Sequence, residues 1–412
     1  MNNLVEFGEI ADFRNGLNFS KESHGKGCLL IGVSDFKDNF TPKYDDLEEI
    51  NPEGVTKKED YLKKGDLLFV RSNGNKALVG RSLYIEQDIE ALYSGFCIRA
   101  RLTSDLIAPL FLAYYSRTKY FKKSISHADG TNINNLNQGI LSDVKIPLYS
   151  KKMQQCITDV LAAIDKKIEL NKKINAELEA MAKLIYDYWF VQFDFPDANG
   201  KPYKSSSGKM VYNEALKREI PDGWEVASLL EVASFTNGIA CQKYRPKESE
   251  DRYSVIKIRE MGVGFTDKSE VVSQNIPDKV VVRNGDVLFS WSATLDVKIW
   301  TGGVGGLNQH IFKVTSSKYP RTYYYFETLR YLQHFKMMAE LRKTTMGHIT
   351  QDHLKQSRIA IPSDGLAEEL HKKIDPMLNK TISGNEENQK LSELREWLLP
   401  MLMNGQVTVK AS

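Results

Sequence analysis

The hydrophobic positions between Ser150 and Phe195 repeat at the spacing of a coiled coil. Apolar residues recur at intervals of four, three and four residues: Ile157, Leu161, Ile164 and Ile168. This spacing is typical of a helix that buries one stripe against a partner helix. The segment contains neither glycine nor proline, and Ser150 can cap its first turn. We therefore predict one helix over the whole segment, in which about 40 residues would span roughly 60 Å.

Two asparagines fall on the same stripe when its register is continued. Asn171 and Asn175 come next, and the apolar pattern then resumes at Leu178, Ala182 and Ile185. A buried asparagine in such a seam costs stability but disfavours other registers and partners. The stripe therefore predicts a specific partner helix.

The C-terminal segment, residues 366–404, is the predicted partner. It carries two apolar stripes: Leu366, Leu370, Ile374 and Met377, then Leu391, Leu394, Leu398 and Met401. Pro376 and the stretch Ser383-Gly384-Asn385 interrupt this pattern, so we expect a kink or short break there. If the central helix leads from one half of the chain to the other, this segment returns antiparallel to it.

The two halves of the chain repeat each other. Lys63–Phe69 is echoed by Arg283–Phe289 at an offset of 220 residues, and Phe13–Gly16 by Phe235–Gly238 at an offset of 222. Two further pairs follow in the same order: Leu30–Val33 with Val255–Ile258, and Lys145–Pro147 with Ala360–Pro362. Four short matches in one order at similar offsets indicate an internal duplication.

The duplication predicts an α+β fold. Short apolar strands follow turns such as Gly65-Asp66 and Gly285-Asp286, without the regular strand–helix alternation of a doubly wound sheet. We predict two similar β-rich domains, residues 1–148 and 201–362. A long antiparallel two-helix coiled coil, residues 149–200 and 363–412, would separate them with approximate two-fold symmetry.

Composition narrows the class of protein only slightly. A hydrophobic share of 42% is ample for packed cores. The net charge of +3 is too small to establish a nucleic-acid partner. The four cysteines are widely scattered, which favours reduced thiols and a cytoplasmic location. The chain has neither an apolar run of about 18 residues nor the pattern of a signal peptide, so we expect no membrane association.

Sequence motifs for catalysis are missing. Asp194-Phe195-Pro196-Asp197 has one proline where the methyltransferase motif has two. Ser207-Gly208-Lys209 lacks the rest of a phosphate-binding loop, and the glycines of residues 302–306 lack dinucleotide-binding spacing. His348 and His353 are not in a zinc-binding frame. We therefore predict that this chain has no active site and binds no metal.

Polar and basic residues cluster in the loops that follow equivalent strands. Arginine and lysine pair with guanine, asparagine pairs with adenine, and hydroxyl groups also bind phosphates. The candidate DNA-binding residues of the first domain are Asn15, Arg71, Ser72, Asn73, Asn75, Lys76, Arg81, Thr131, Asn132 and Asn134. Those of the second are Asn237, Ser290, Trp291, Ser292, Thr294, Lys298, Thr345 and His348. Turn formation explains any single one equally well, but the set favours recognition.

The aromatic end of the central helix allows two interpretations. Tyr186 and Trp189 either belong to an internal core or form a docking surface for another subunit. Phe193 and Phe195 are better explained as core. We keep Tyr186 and Trp189, together with Trp397 near the C-terminus, as candidate partner-binding residues.

Several motifs resemble the specificity (S) subunit of type I restriction–modification systems. The resemblance covers the full chain. Its motifs are Phe193–Pro196, Asn199–Ser206, Glu219–Trp224 and Leu394–Val407. One departure is Pro147–Gln155, which lacks the family's usual Pro-Pro and acidic pair before the glutamine. That departure affects only the local helix cap.

The resemblance implies a function. Each of two target recognition domains would read one half of a split double-stranded DNA sequence, with half-sites about one turn, roughly 34 Å, apart. The helices would set the spacer and dock two methyltransferase subunits, and two motor-nuclease subunits would complete the enzyme. S-adenosylmethionine, ATP and Mg²⁺ would bind the partner subunits, with no cofactor in this chain.

Two alternative functions remain open from the sequence. The chain could be a self-sufficient DNA-modifying enzyme with a degenerate active site, although the missing cofactor motifs argue against this. It could also be a coiled-coil adaptor without affinity for DNA. A true reader of DNA is expected to retain weak non-specific binding to duplex at low salt, which an adaptor would lack.

Overall fold

The computed structural model describes residues 3–19, 23–37, 39–54, 56–126, 135–341, 348–363 and 365–407. The chain forms two compact units. The first combines residues 1–166 with residues 391–412, and the second comprises residues 167–390. Two long helices are divided between the units, and each of them contributes one segment to the first unit and one to the second.

The first unit is built from short strands and helices. Its strands are β1 (Asn3–Glu6), β2 (Ala11–Asn15), β3 (His24–Ile31), β4 (Glu48–Ile50), β5 (Leu67–Val70), β6 (Ser82–Tyr84), β7 (Ala91–Tyr93), β8 (Cys97–Leu102) and β9 (Lys145–Leu148). Its helices are α1 (Phe7–Ile10), α2 (Pro109–Ser116), α3 (Lys119–Ser126), α4 (Gln138–Ser142) and the start of α5 (Lys151–Tyr186). A four-stranded sheet has the order β2-β8-β5-β6, a three-stranded sheet has the order β4-β3-β7, and β1 pairs with β9.

The second unit repeats this arrangement. Its strands are β10 (Met210–Asn213), β11 (Arg218–Pro221), β12 (Glu225–Ser228), β13 (Ser234–Asn237), β14 (Arg252–Ile256), β15 (Val271–Ser273), β16 (Val281–Val282), β17 (Val287–Ser290), β18 (Asp296–Ile299), β19 (Gly305–Leu307), β20 (Ile311–Thr315) and β21 (Arg358–Ile361). Its helices are α6 (Leu229–Val232), α7 (Ile258–Val263), α8 (Arg321–Leu341), α9 (Gln351–Gln356) and most of α10 (Leu366–Met403). The sheets have the orders β13-β20-β17-β18 and β15-β14-β19-β16, and β12 pairs with β21.

The apolar runs after each Gly-Asp turn are strands buried on both faces. In β5, Leu67 and Phe69 face one core while Leu68 and Val70 face another. In β17, Val287 and Phe289 face one core and Leu288 the other. Because successive side chains point to opposite faces, a strand between two cores must be apolar at nearly every position.

The turn before each of these strands has the same geometry. Gly65 and Gly285 adopt φ angles of +92° and +93°, a region that favours glycine. Asp66 Oδ2 accepts a hydrogen bond from the Lys63 amide at 2.8 Å, and Asp286 Oδ2 accepts one from the Arg283 amide at 2.7 Å. The aspartate therefore closes the turn in both copies, and the predicted duplication is confirmed at the level of hydrogen bonds.

One sequence match of the repeat is displaced by two residues. The β1–β9 ribbon pairs Glu6 with Lys145, and the β12–β21 ribbon pairs Ser228 with Arg358. Lys145 is thus equivalent to Arg358, not to Ala360 as the sequence comparison suggested. The strand pairing identifies the equivalent residues here, because a displacement of two residues keeps each side chain on the same face and so leaves a similar apolar pattern in the sequence.

The central helix ends earlier than predicted. α5 stops at Tyr186, a π-helical turn covers Asp187–Val191, and Phe193 adopts a left-handed φ of +67°. The prediction of a helix to Phe195 is therefore wrong. Because the chain leaves the helix here, Phe193 and Phe195 can pack against Trp224. Their ring centroids lie 5.3 and 5.5 Å from that of Trp224.

The predicted stripe of α5 is buried. Ile157 and Leu161 are almost fully inaccessible, and Asn171 and Asn175 are only 5% and 6% exposed. In the first unit, Asp165 Oδ1 accepts from Arg395 Nη1 of α10 at 2.7 Å. Within the second unit the two helices run antiparallel, because Asn171 contacts Asn388 while Asn175, later on α5, contacts Asn385, earlier on α10.

The seam asparagines find partners on α10 within the second unit. Asn171 Nδ2 donates to Asn388 Oδ1 at 3.0 Å and to Glu387 Oε2 at 2.7 Å. Asn175 Nδ2 donates to Asn385 Oδ1 at 2.8 Å. These bonds satisfy the buried amide nitrogens in the register that the helices adopt.

The expected break in α10 is absent, since one helix runs from Leu366 to Met403. At Gly384 a β-carbon would lie 2.5 Å from Asn175 Oδ1, so this glycine permits close helix approach and does not interrupt the helix. Pro376 removes a backbone hydrogen bond at a cost of about 3 kcal/mol. Burial of Leu370, Ile374 and Leu378, at about 1.5–3 kcal/mol per side chain, offsets that cost.

The prediction of a second apolar stripe on α10 is only partly confirmed by the burial of its residues. Leu394 is 42% exposed, and the buried residues of this end are Leu399, Leu402 and Met403. None of the helices in the described ranges has the length and hydrophobicity needed to cross a membrane.

A glycine directly follows β2 and another directly follows β13, and each allows a close approach to the backbone of a distant segment. A β-carbon on Gly238 would lie 2.2 Å from the Asn308 carbonyl oxygen, and one on Gly16 would lie 2.2 Å from that of Ser94. Gly238→Ala is expected to destabilise the second unit by about 1–3 kcal/mol through overpacking. Gly262→Ala is the matched control, because a β-carbon there meets no atom within 4 Å. Urea unfolding of both variants checks this, and equal midpoints would contradict it.

The Asn171–Asn388 bond can be tested with a double-mutant cycle. Asn171→Ala should cost about 1–3 kcal/mol, because it leaves the buried Asn388 acceptor without its partner. Replacing both asparagines with alanine should cost less than the sum of the single changes by about 0.5–3 kcal/mol. Lys172→Ala, at an exposed position of α5, is the control. Strict additivity in chemical denaturation would mean that the two side chains are not coupled.

Candidate nucleic-acid interface

Three predicted residues from distant segments meet in the second unit. The indole Nε1 of Trp291 donates to Asn237 Oδ1 at 3.0 Å. The Trp291 ring lies 5.6 Å from the ring of His310 and 5.4 Å from that of His348, measured between centroids. We call Asn237, Trp291, His310 and His348 the tryptophan cluster.

Backbone hydrogen bonds hold this cluster in place. The Trp291 amide donates to the His310 carbonyl at 3.3 Å, and the Ile349 amide donates to the Trp291 carbonyl at 3.0 Å. Trp291 directly follows β17, so the doubly buried strand positions its side chain. Asn237 and His348 are exposed, and Trp291 is half-buried. The cluster therefore presents amide, imidazole and aromatic groups to solvent.

The first unit has an equivalent cluster with different side chains. The Arg71 amide donates to the Phe96 carbonyl at 2.7 Å, and the Leu136 amide donates to the Arg71 carbonyl at 2.7 Å. Arg71 thus corresponds to Trp291, Phe96 to His310 and Asn135 to His348. Asn15 ends β2 as Asn237 ends β13. We call Asn15, Arg71, Phe96 and Asn135 the arginine cluster.

Exposure within the arginine cluster suits contact with another molecule. Asn15 and Asn135 are exposed, Phe96 is 57% exposed, and Arg71 is half-buried. With its amide oriented to donate, Asn135 also reaches the Arg71 carbonyl at 3.2 Å. The same backbone frame therefore carries an arginine and a phenylalanine in one unit and a tryptophan and a histidine in the other.

The loop after Arg71 uses its asparagines partly for its own structure. Asn73 Oδ1 accepts from the Asn75 amide at 2.7 Å, and Asn75 Oδ1 accepts from the Ala77 amide at 3.1 Å. Asn75 and Lys76 are exposed, while Ser72 is half-buried. Arg81 Nη1 donates to the Lys37 carbonyl, which directs this guanidinium to its own unit. The turn-forming interpretation thus holds for Asn73 and Asn75, and their amide nitrogens stay candidates.

Three candidates of the second unit are used internally. Ser290 is fully buried, where it accepts from the Asp296 amide at 2.9 Å and donates to the Thr294 carbonyl. Ser292 is only 5% exposed, and Lys298 Nζ donates to the Met261 carbonyl at 3.2 Å. Burial of Ser290 and Ser292 argues against direct contact with DNA, and Lys298 is half-buried with its amine directed to α7. Thr294 is exposed and stays a candidate.

Four predicted residues cannot be placed. Thr131, Asn132, Asn134 and Thr345 lie outside the described residues. Phe96, Asn135 and His310 were missed by the sequence reasoning. A usable signal existed for Phe96 and His310, because each comes at or just before the start of an apolar strand of the repeat, β8 or β20.

Two candidate partner-binding residues belong to the core. Tyr186 is 1% exposed, and its hydroxyl donates to Glu327 Oε1 at 2.7 Å. Burial raises the pKa of Tyr186 well above its ordinary value. Trp189 is 5% exposed. Their prediction as docking residues is wrong, because α8 packs over this end of α5 and the Tyr186 ring stacks on Phe326 at 4.7 Å.

Other apolar side chains of the long helices do face solvent. Trp397 is 55% exposed, as expected of a docking residue, and Leu394, three residues earlier in the sequence, is also exposed. In the second unit, exposed apolar residues recur at heptad-like intervals along α5 and the π-helical turn that follows it: Leu170, Ile174, Met181, Leu184 and Tyr188. We call these five residues the outer stripe. The spacing of such a stripe suits contact with a further helix.

The fold and the two clusters together define a class of protein. It is a duplicated scaffold in which each copy of one sheet arrangement presents a different polar cluster, and both copies are joined to long paired helices. The model of the type I restriction modification DNA specificity domain matches residues 2–180 and 221–394. The chain belongs to this family.

Individual relatives agree with the family match. The chain is 25% identical to the type I restriction enzyme HindI specificity subunit of Haemophilus influenzae, over 84% of this chain and 87% of that protein. It is 24% identical to the MjaIX specificity subunit of Methanocaldococcus jannaschii, over 99% of this chain and 93% of that protein. The crystal structure of the type I restriction–modification S subunit from M. genitalium has a similar fold, with a TM-score of 0.59 and 12% identity over 100% of this chain and 97% of that one.

The core position of Tyr186 has a measurable consequence. Tyr186→Ala should destabilise the isolated chain by about 3–5 kcal/mol, because it opens a cavity and removes the hydroxyl that Glu327 accepts from. Trp397→Ala should change stability by no more than about 0.5 kcal/mol, as expected for an exposed residue. Urea denaturation followed by circular dichroism compares the two variants. An unchanged midpoint for Tyr186→Ala would mean that this residue is not part of the core.

Proposed function

We propose that this chain is the DNA-reading subunit of a type I restriction–modification enzyme and that each cluster reads one half of a bipartite target. The observation that carries the proposal is the equivalence of the two clusters. Arg71 and Trp291 occupy the same backbone position with the same two hydrogen bonds, yet they differ completely in chemistry. One frame with two sets of side chains is what recognition of two different half-sites requires.

Base recognition would follow from the groups that the clusters present. The Arg71 guanidinium can pair with the two acceptors of guanine in the major groove, and asparagine can pair with adenine. Asn15 and Asn135 are exposed beside it. The second cluster offers the amide nitrogen of Asn237 and the imidazole of His348. Lysines such as Lys76 would contact phosphates and supply affinity that falls with salt.

The long helices would set the spacer between the two half-sites. In the observed register, Asn171 and Asn175 find hydrogen-bonding partners on α10. A register held by buried amides is discrete, because a slip leaves these amides unsatisfied. The number of base pairs between half-sites would therefore be determined by helix length.

Catalysis would belong to other subunits. Two methyltransferase subunits, which bind S-adenosylmethionine, would dock on the helices through Trp397 and the outer stripe. Two motor-nuclease subunits, which use ATP and Mg²⁺, would complete the complex. This chain would carry no cofactor, catalyse no reaction and act in the cytoplasm.

The test is methylation by the reconstituted complex. With methyltransferase subunits and S-adenosylmethionine, Arg71→Ala should weaken selection at one half-site by about 1–3 kcal/mol, the value of a good bidentate base contact. Trp291→Ala should affect only the other half-site. Sequencing of methylated positions in a random duplex library gives both preferences.

The controls separate the proposal from its alternatives. Lys201→Ala changes an exposed lysine of a hairpin outside both clusters and should leave the preferences unchanged. Methyl transfer by the chain alone would favour a self-sufficient enzyme, and no binding of random duplex at low salt would favour an adaptor. A single cluster variant that altered both half-sites would also contradict the proposal.

A further inference from the structure

A cavity of about 550 Å³ lies within the second unit. The β10–β11 hairpin, the π-helical turn after α5, and helices α8 and α9 contribute its walls. Among its described lining residues are two arginines and two histidines but no aspartate or glutamate: Arg218, Arg330, His334 and His353. The family resemblance and the two clusters do not account for this concentration of arginine and histidine side chains.

The nearby buried carboxylate is already engaged. Glu327 is 1% exposed, and its Oε1 accepts from the Tyr186 hydroxyl at 2.7 Å. Its Oε2 lies 3.0 Å from Arg330 Nη2. Glu327 therefore forms its ion pair with Arg330, and it favours the charged form of the second arginine only from a greater distance. Among the described residues, no carboxylate lies within ion-pair distance of that second arginine.

Arg218 is the arginine with an unpaired donor. Its Nη2 is buried and has no hydrogen-bond partner among the described residues. Its guanidinium lies over the Phe193 ring, 4.8 Å from the centroid. Burial and the nearby Arg330 lower the pKa of Arg218. A buried donor of a charged group is costly when it stays unpaired, so the site would gain free energy from an anion.

We propose that this cavity binds a phosphate group. A guanidinium offers parallel donors that match the oxygens of a phosphate, and a second arginine and histidines strengthen such a site. The cavity is larger than one phosphate, which points to a phosphate carried on a larger molecule. The two sources are a phosphate of the DNA backbone and a small phosphorylated compound.

The position of the cavity favours the DNA backbone as the source. α9, which supplies His353, begins three residues after His348 of the tryptophan cluster. His353 of the cavity and His348 of that cluster are therefore only five residues apart in the chain. A phosphate bound here would orient the duplex at the second half-site, and this part of the inference rests on the proposed function.

The experiment compares Arg218→Gln with wild type in the full chain. In the first arm, inorganic phosphate and pyrophosphate are titrated at low ionic strength by calorimetry, and the variant should bind at least about tenfold more weakly, as expected for loss of a charge-assisted fork. In the second arm, duplex affinity is measured against salt concentration. Loss of one phosphate contact should reduce the slope of log K against log salt by about 0.9.

Matched variants keep the result interpretable. Arg252→Gln removes an exposed arginine of the same unit that does not line the cavity, and it should leave phosphate binding unchanged. Arg218→Lys keeps the charge without the fork and should bind phosphate with intermediate affinity. If Arg218→Gln unfolds, His334→Gln decides, because His334 is exposed and its loss should weaken phosphate binding about threefold without affecting the fold.

Each outcome either supports or overturns the inference. Weaker phosphate binding with an unchanged salt slope would identify a small phosphorylated ligand, and a reduced slope would identify the DNA backbone. Wild-type binding of phosphate that Arg218→Gln abolishes would support the cavity even if the chain bound no duplex, so the two proposals can fail separately. Unchanged phosphate affinity together with an unchanged slope in both cavity variants would overturn it.

Discussion

The burial of one short strand on both faces is the constraint on which each unit depends. β5 and β17 lie between two cores, so their side chains are apolar on both sides, and a Gly-Asp turn sets where each strand begins. The strand has no freedom to slip, because a shift of one residue would exchange its two faces and leave the turn glycine out of place. The residue that follows the strand, Arg71 or Trp291, is therefore held at a defined position while its own side chain is free to vary.

In the paired helices α5 and α10, a few residues likewise determine the register of the contact. An apolar stripe alone would allow several registers, because one aliphatic side chain replaces another with little loss. The amides of Asn171 and Asn175 restrict the choice, since each is buried and each meets a matching group on α10. Gly384 favours the same register, because its missing side chain makes room for Asn175. Polar groups supply the specificity here, and the apolar stripe supplies most of the stability.

The candidate site could be predicted only in part. Asn237, Trp291 and His348 were found because they occupy loops at equivalent places in the repeat, and the structure brings them together. Ser290 and Ser292 flank Trp291 but are buried, and no local pattern distinguishes an inward from an outward serine at such a position. The prediction that Tyr186 and Trp189 bind a partner was wrong for a related reason. Their environment is created by α8, which lies more than a hundred residues further along the chain.

The sequence by itself determined the duplication, the turn before each doubly buried strand, the stripe of the central helix and the family. These features depend on periodicity or on backbone conformations that few residue types can adopt, so they are visible locally. Only the tertiary structure decided where α5 ends, that α10 continues through Pro376 and Gly384, and which polar groups stay available to a ligand. Each of these depends on contacts between distant segments, whose burial and hydrogen bonding outweigh the local preferences of the residues involved.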